Sequence, residues 1–180
     1  MDILKHRKMK RILGILLLSL ICLLPNTSSA QRHKDRKALF ASWHNYEVST
    51  IKVATDGTKF IKVWGFGKKV DLAIVQAKKN AVHACLFKGL PEAATAMRTP
   101  AICSDPNAAE NHEEYFAKFF TTGGDYLKYI NLTTDGVPSG QDRRQVKGGY
   151  KVAIYVQVMY DNLRDRMEAD GIVRKLSSGF

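Results

Sequence analysis

The side chains best suited to chemistry in this 180-residue chain are His33, His44, His83, His112, Cys85 and Cys103. A thiol or hydroxyl hydrolase needs its nucleophile within hydrogen-bond reach of an imidazole that a third group orients. Cys85 follows His83 by two residues, but closeness along the chain is not that geometry. A small secreted hydrolase therefore requires the fold to bring His44, His83 or His112 to a carboxylate or to Cys85. His112-Glu113-Glu114 is not a zinc motif, because H-E-x-x-H would need its second histidine where Phe116 stands. The chain has no G-x-S-x-G elbow and no phosphate loop, and Gly65-Phe66-Gly67 lacks the third glycine of a dinucleotide loop, since position 70 is valine. These absences point away from an enzyme, a cofactor and a metal.

The second chemical resource is charge. Lys52, Lys59, Arg143, Arg144 and Lys147 are candidates for contact with an anionic polymer or lipid headgroup. Nucleic acid is not the expected partner, because no basic helix with interleaved aromatics is present.

Positioning these groups falls to a short list of elements. The pattern over 46–66 is a β-hairpin turning on Thr55-Asp56-Gly57-Thr58, where Asp-Gly favours a two-residue type I′ loop. That loop pairs Thr55 with Thr58 and places Val53 opposite Phe60 and Ser49 opposite Trp64. Ile51, Val53, Phe60, Trp64 and Phe66 then form the core face. Val48, Ile61 and Val63 share the other face with Lys52 and Lys59. A helix follows over about 70–87, with Ala73, Ala77, Ala81 and Ala84 as a stripe of small residues that allows close approach to a sheet. Gly89 and Pro91 stop it. His83 lies off that stripe.

Residues 91–109 read as a long connection. Asp105-Pro106 opens a helix whose Tyr115, Phe116, Phe119 and Phe120 form one aromatic stripe, suited to the core or to a sugar- or lipid-binding platform. A strand is expected over 126–133 and a basic loop over 135–149. Residues 150–160 alternate most cleanly, with Val152, Ile154, Val156 and Val158 on one face and Lys151, Ala153, Tyr155 and Gln157 on the other. Asp161 is the expected cap of a closing helix that ends at Gly171. The fold class is α+β: a single compact domain over 46–180, with an antiparallel sheet packed by two to three helices.

Residues 1–30 read as a secretory signal, with Lys5, Arg7, Lys8, Lys10 and Arg11 ahead of an apolar run over 12–24. That run is shorter than the roughly 20 residues a membrane span needs. Ser28-Ser29-Ala30 places cleavage between Ala30 and Gln31, followed by a polar leader over 31–45. Cys22 is preceded by Ile21 and followed by Leu23-Leu24, which does not fit lipid attachment. The signal holds five of the 28 basic residues and one of the 17 acids, so the net charge falls from +11 to +7 in the remaining 150 residues. Export to the periplasm or beyond places Cys85 and Cys103 in an oxidising compartment, where they form either a disulfide or two buried free thiols.

The run Val63-Trp64-Gly65-Phe66-Gly67-Lys68-Lys69, followed by Asp71-x-Ala73-x-x-x-Ala77-x-x-x-Ala81, resembles the N-terminal domain family of flagellar assembly protein T and related small envelope lipoproteins. The resemblance spans roughly 46–167. It implies a small α/β module that binds other envelope proteins, without catalysis or cofactor. The chain departs from that pattern in lacking a lipid-attachment motif at Cys22 and in the insertion-like stretch from 91 through the aromatic helix. The leading expectation is an exported, non-catalytic assembly module with an envelope protein partner. The alternatives are a binding module for anionic polymer or lipid headgroups, with peripheral membrane contact, and a small secreted hydrolase. The two apolar faces of the hairpin also invite self-association.

Overall fold

The computed structural model describes residues 46–133 and 136–175. The expected signal, its Ala30–Gln31 cleavage site and the leader with His33 and His44 lie outside these residues. Within them the architecture is α+β, an antiparallel sheet packed against helices over one hydrophobic core.

Strands β1 (Val48–Val53) and β2 (Thr58–Gly67) form the expected hairpin. Its loop is longer than a two-residue turn. The Ala54 N–H donates to Thr58 O at 2.9 Å and the Gly57 N–H to Ala54 O at 3.2 Å. Gly57, at φ 79, takes the left-handed position that closes a three-residue loop. The Asp56 carboxylate accepts the Thr58 N–H at 3.0 Å, which holds the turn in this form. Val53 therefore pairs with Lys59 rather than Phe60. A bulge between Thr50 and Lys52 shifts the register again, so Ser49 faces Lys62 rather than Trp64.

Helix α1 (Val70–His83) continues into a single π-turn, Ala84–Lys88, and ends at Gly89, whose N–H donates to Ala84 O at 2.8 Å. After the connection come a one-turn helix α2 (Ala108–Asn111) and the aromatic helix α3 (Glu113–Phe119). Asn107, not Asp105, occupies the N-cap position of α2, and the aromatic helix starts separately at Glu113, so the expected Asp105-Pro106 start is displaced. The Asp105 carboxylate instead accepts the Asn107 N–H and the Asn111 amide, both at 2.9 Å. The expected strand over 126–133 is instead a 3₁₀ turn, Asp125–Tyr129, followed by a short β3 (Ile130–Leu132). The turn forms because Tyr126 and Tyr129 both bury their rings, against Phe120 and Phe119, which strand alternation would forbid. The aromatic stripe is thus core packing.

Strands β4 (Arg143–Val146) and β5 (Gly149–Met159) complete the sheet. β5 pairs with β2 along all ten residues of that strand, and its far edge carries both β3 and β4. Helix α4 (Tyr160–Ala169) buries Leu163 and Met167. Met159, not Asp161, occupies its N-cap position, so the expected aspartate cap is absent; Asp161 stands in the first turn.

The faces of the hairpin are the reverse of the expected ones. Ile61 and Val63 are fully buried, whereas Phe66 is 51 % exposed and Ile51 36 %. Bulk alone favours the aromatic face as core; the glycines of β2 decide otherwise. A Cβ on Gly65 would stand 2.3 Å from both Ala73 O and Ala77 N, and one on Gly67 would stand 2.4 Å from Ala73 N. Helix and strand therefore touch backbone to backbone, and Ala73, Ala77, Ala81 and Ala84 are all fully buried, as their spacing predicts. Asn80 donates to Trp64 O at 2.9 Å and accepts from Gln76 at 2.9 Å, so this buried amide ties the helix to the strand without an unmet polar cost.

Gly65→Ala is expected to lower unfolding free energy by about 1–3 kcal/mol in urea titration, because backbone atoms must move. Phe66→Ser should stay within about 0.5 kcal/mol of the parent. The opposite ranking would mean that the aromatic face is the core.

Candidate functional site

α1 packs on one face of β2 and β5. On the opposite, outer face the alternation of β2 presents Phe60, Lys62, Trp64 and Phe66, and β5 presents Lys151, Ala153, Tyr155 and Gln157. Trp64 is central. Its cross-strand partner is Ala153, the smallest side chain on that face of β5, which is only 1 % exposed. Three cations stand over the indole: Lys151 Nζ at 5.0 Å, Arg144 Cζ at 5.4 Å and Lys62 Nζ at 5.5 Å from the ring centroid. Lys62 also lies 5.1 Å from the Tyr155 ring. Each such contact is worth roughly 0.5–1 kcal/mol at an exposed site, so the indole holds the three charges in place without neutralising them.

Two acids enter from the borders. Glu47 continues the hairpin past β1, because the Trp64 N–H donates to its carbonyl at 2.9 Å, and its carboxylate meets Lys151 at 2.6 Å. Lys151 holds the Glu47 carboxyl below its ordinary range. Asp142 arrives on a 3₁₀ turn, Gly140–Asp142, between β3 and β4, and lies 2.6 Å from Lys62. That carboxylate, then the Tyr155 hydroxyl, holds the Lys62 ammonium above its ordinary pKa. The Glu47–Lys151 pair is exposed and of a kind that contributes about 0–1 kcal/mol, which makes it easy to exchange for another carboxylate; the Asp142–Lys62 pair is half-buried.

The five cations singled out in the sequence do not form one patch. Arg144 joins the Trp64 cluster, opposite Lys151. Arg143 pairs with Val152 and falls on the alternate position. Lys52 pairs with Phe60 at the hairpin-turn end, while Lys147 lies in the turn at the other end of the sheet. Lys59 reaches the Tyr160 ring at 5.0 Å. The strand periodicity that separates them brings in Lys62, Lys151, Trp64 and Tyr155 instead. The signal for these was the alternation Lys62-x-Trp64-x-Phe66, once the glycines are read as the helix-facing side.

The titratable groups proposed for hydrolysis are placed differently. His83 is buried, with Nδ1 2.6 Å from the Tyr46 hydroxyl and its ring 5.0 Å from that of Phe87. His112 lies at the α2–α3 junction, where its carbonyl accepts the Phe116 N–H at 3.0 Å. Cys85 and Cys103 are both buried free thiols, so the bridge considered from the sequence is not formed. Their segments nevertheless run side by side: the Ile102 N–H donates to Cys85 O at 3.0 Å and the Cys103 N–H to Leu86 O at 2.8 Å. Burial pushes each thiol up to about 12, which leaves both protonated and poorly nucleophilic at neutral pH. Among the described residues no three His, Cys, Asp or Glu side chains converge as a metal site, and no helix is long and apolar enough to cross a membrane. A shallow groove of about 660 Å³ lies beside Tyr46, Lys88, Pro91, Glu92 and Arg98, with Lys88 Nζ 3.9 Å above the Tyr46 ring.

In the chain from Gln31 onward, a thiol reagent at pH 8 should react slowly with the native protein and count two thiols after denaturation; a disulfide would count none. Stability should also fall as pH rises from about 8.5 to 10, where unfolded thiols ionise and the buried ones do not. Replacing Cys85 with alanine should reduce that decline in a pH series of urea midpoints.

Compared with known proteins, the chain matches no family model, no curated protein and no solved structure.

Proposed function

We propose that the chain is an exported, non-catalytic binding module whose outer sheet face docks an acidic segment of an envelope protein. The observation that carries this reading is Trp64 on an outer sheet face under three cations, Lys62 from its own strand, Arg144 from β4 and Lys151 from β5. The number of cations exceeds the number of local acids: Lys62 and Lys151 pair with Asp142 and Glu47, while Arg144 adds a charge over the same ring. A guanidinium packed on an indole is already oriented and partly desolvated, so less order is lost when it grips a carboxylate. Tyr155 supplies a hydroxyl beside Lys62. Aromatic and arginine anchors of this kind dominate the energetics of protein interfaces.

The charge and hydropathy pattern of residues 1–30 supports export, and the fold's buried thiols are consistent with a module that does no thiol chemistry. The exposed Glu47 pair acts as a placeholder, exchanged for a partner's carboxylate at small cost, while the half-buried Asp142 pair holds Lys62 in position.

The test is in-cell photo-crosslinking from a benzoylphenylalanine placed at Gln157, an exposed position on this face. The expected result is one discrete adduct whose linked peptide is acidic, lost in Arg144→Glu/Lys151→Glu and weakened by raised salt in extracts. No adduct, or an adduct unchanged by the charge reversal, would contradict the proposal.

A further inference from the structure

At one end of the sheet, β2 finishes, β5 begins and α1 starts within a few residues of one another. Three large apolar side chains stand exposed there: Phe66 at 51 %, Leu72 at 53 % and Val146 at 38 %. The backbone holds them together. Gly67 pairs with Tyr150, and a Cβ on Gly149 would stand 2.2 Å from Gly67 O. A Cβ on Gly148 would stand 4.0 Å from Phe66 Cζ, so the Phe66 ring reaches the β4–β5 turn in which Val146 pairs with Gly149. Leu72 closes the other side, its Cβ 2.9 Å from where a Gly67 Cβ would be. These glycines matter because any side chain at 67 or 149 would push the end of the sheet apart.

The charge around this end is mainly positive. The stretches 65–73 and 146–150 hold Lys68, Lys69 and Lys147 against a single acid, Asp71, while Lys151, next along β5, is paired with Glu47. Lys68, Lys69 and Lys147 are all exposed. Apolar side chains on turns and a helix start, ringed by long cationic ones, match a bilayer surface. The apolar groups enter the headgroup–acyl boundary, and the ammonium groups stay among anionic headgroups. Neither signal alone holds a protein to a membrane, whereas the two together do.

We propose that this end of the sheet, built from Phe66, Leu72, Val146, Lys68, Lys69 and Lys147, is a docking tip for the surface of an anionic lipid bilayer. It uses none of Lys62, Trp64, Arg144, Lys151 or Tyr155, so it stands or falls separately from the protein-docking face. Because the tip and that face adjoin on β2, membrane contact would orient the Trp64 face beside the bilayer rather than against it.

The experiment is vesicle flotation with the chain from Gln31 onward, which contains every described element and the whole core cluster. Vesicles of phosphatidylcholine alone are compared with vesicles containing about one third phosphatidylglycerol, at low and high salt. Binding should require phosphatidylglycerol and weaken with salt. Lys68→Glu/Lys69→Glu should reduce it by about tenfold or more. Phe66→Ser/Leu72→Ser should also reduce it, with circular dichroism confirming that both variants remain folded. Lys52→Glu should leave binding within about twofold, since Lys52 is exposed at the hairpin-turn end of the sheet, away from the tip. Equal binding to both vesicle types, no binding, or binding abolished equally by soluble heparin and unaffected by Phe66→Ser/Leu72→Ser would overturn the proposal.

Discussion

The structure depends on one close approach, that of α1 to β2 at Gly65 and Gly67. At these positions helix and strand meet without side chains between them, and the Ala73–Ala77–Ala81 stripe is the only kind of helix surface that fits. Everything else about the sheet follows from this contact. Because side chains alternate along a strand, placing the glycines inward also places Ile61 and Val63 inward and turns Lys62, Trp64 and Phe66 outward. β5 then matches in register, with Val152, Ile154, Val156 and Val158 buried beneath α1 and the Lys151–Tyr155 face open. The same glycines leave the end of the sheet narrow enough for Phe66, Leu72 and the β4–β5 turn to adjoin.

How much of this is legible in the sequence depends on whether a local rule decides each element. β5 reads correctly, because eleven residues of unbroken alternation leave one register. α1 reads correctly as well: its alanines recur at helical spacing, and Gly89 stops it. The hairpin is legible as a hairpin, but its loop type is not. The choice between a two- and a three-residue loop at Asp56-Gly57 rests on which hydrogen bonds the turn makes, and a single residue of slip changes every pairing. The inward face is misread for a related reason. Apolar bulk points to the Phe60–Trp64–Phe66 side, while the absence of side chains at 65 and 67 points to the other, and only the helix settles which matters more. The 126–133 stretch fails because Tyr126 and Tyr129, three apart, suit a turn that buries both rings on one side.

The candidate site inherits this logic. Of the five cations visible as a basic subset of the sequence, Arg144 alone reaches Trp64, since the others fall at alternate positions or at the ends of strands. The residues that complete the cluster, Lys62 and Lys151, lie 89 residues apart in the chain, and only pairing of β2 with β5 unites them. Their acids, Glu47 and Asp142, arrive from a strand extension and from the excursion between β3 and β4. Neither is predictable from composition. The result is a surface whose attractive groups are fixed by the sheet and whose internal counter-ions are an exposed, exchangeable Glu47 and a half-buried Asp142.

The central claim is that Trp64 stands on an open, cationic face of the sheet. Ionic quenching of its fluorescence tests this most directly. The chain contains two tryptophans, so Trp43→Phe leaves Trp64 as the sole emitter. At low salt, iodide should quench this emission efficiently and caesium poorly, because the surrounding ammonium and guanidinium groups concentrate the anion and repel the cation. The preference should shrink in Lys62→Gln/Lys151→Gln. An emission that neither ion quenches, or that caesium quenches better, would contradict the account.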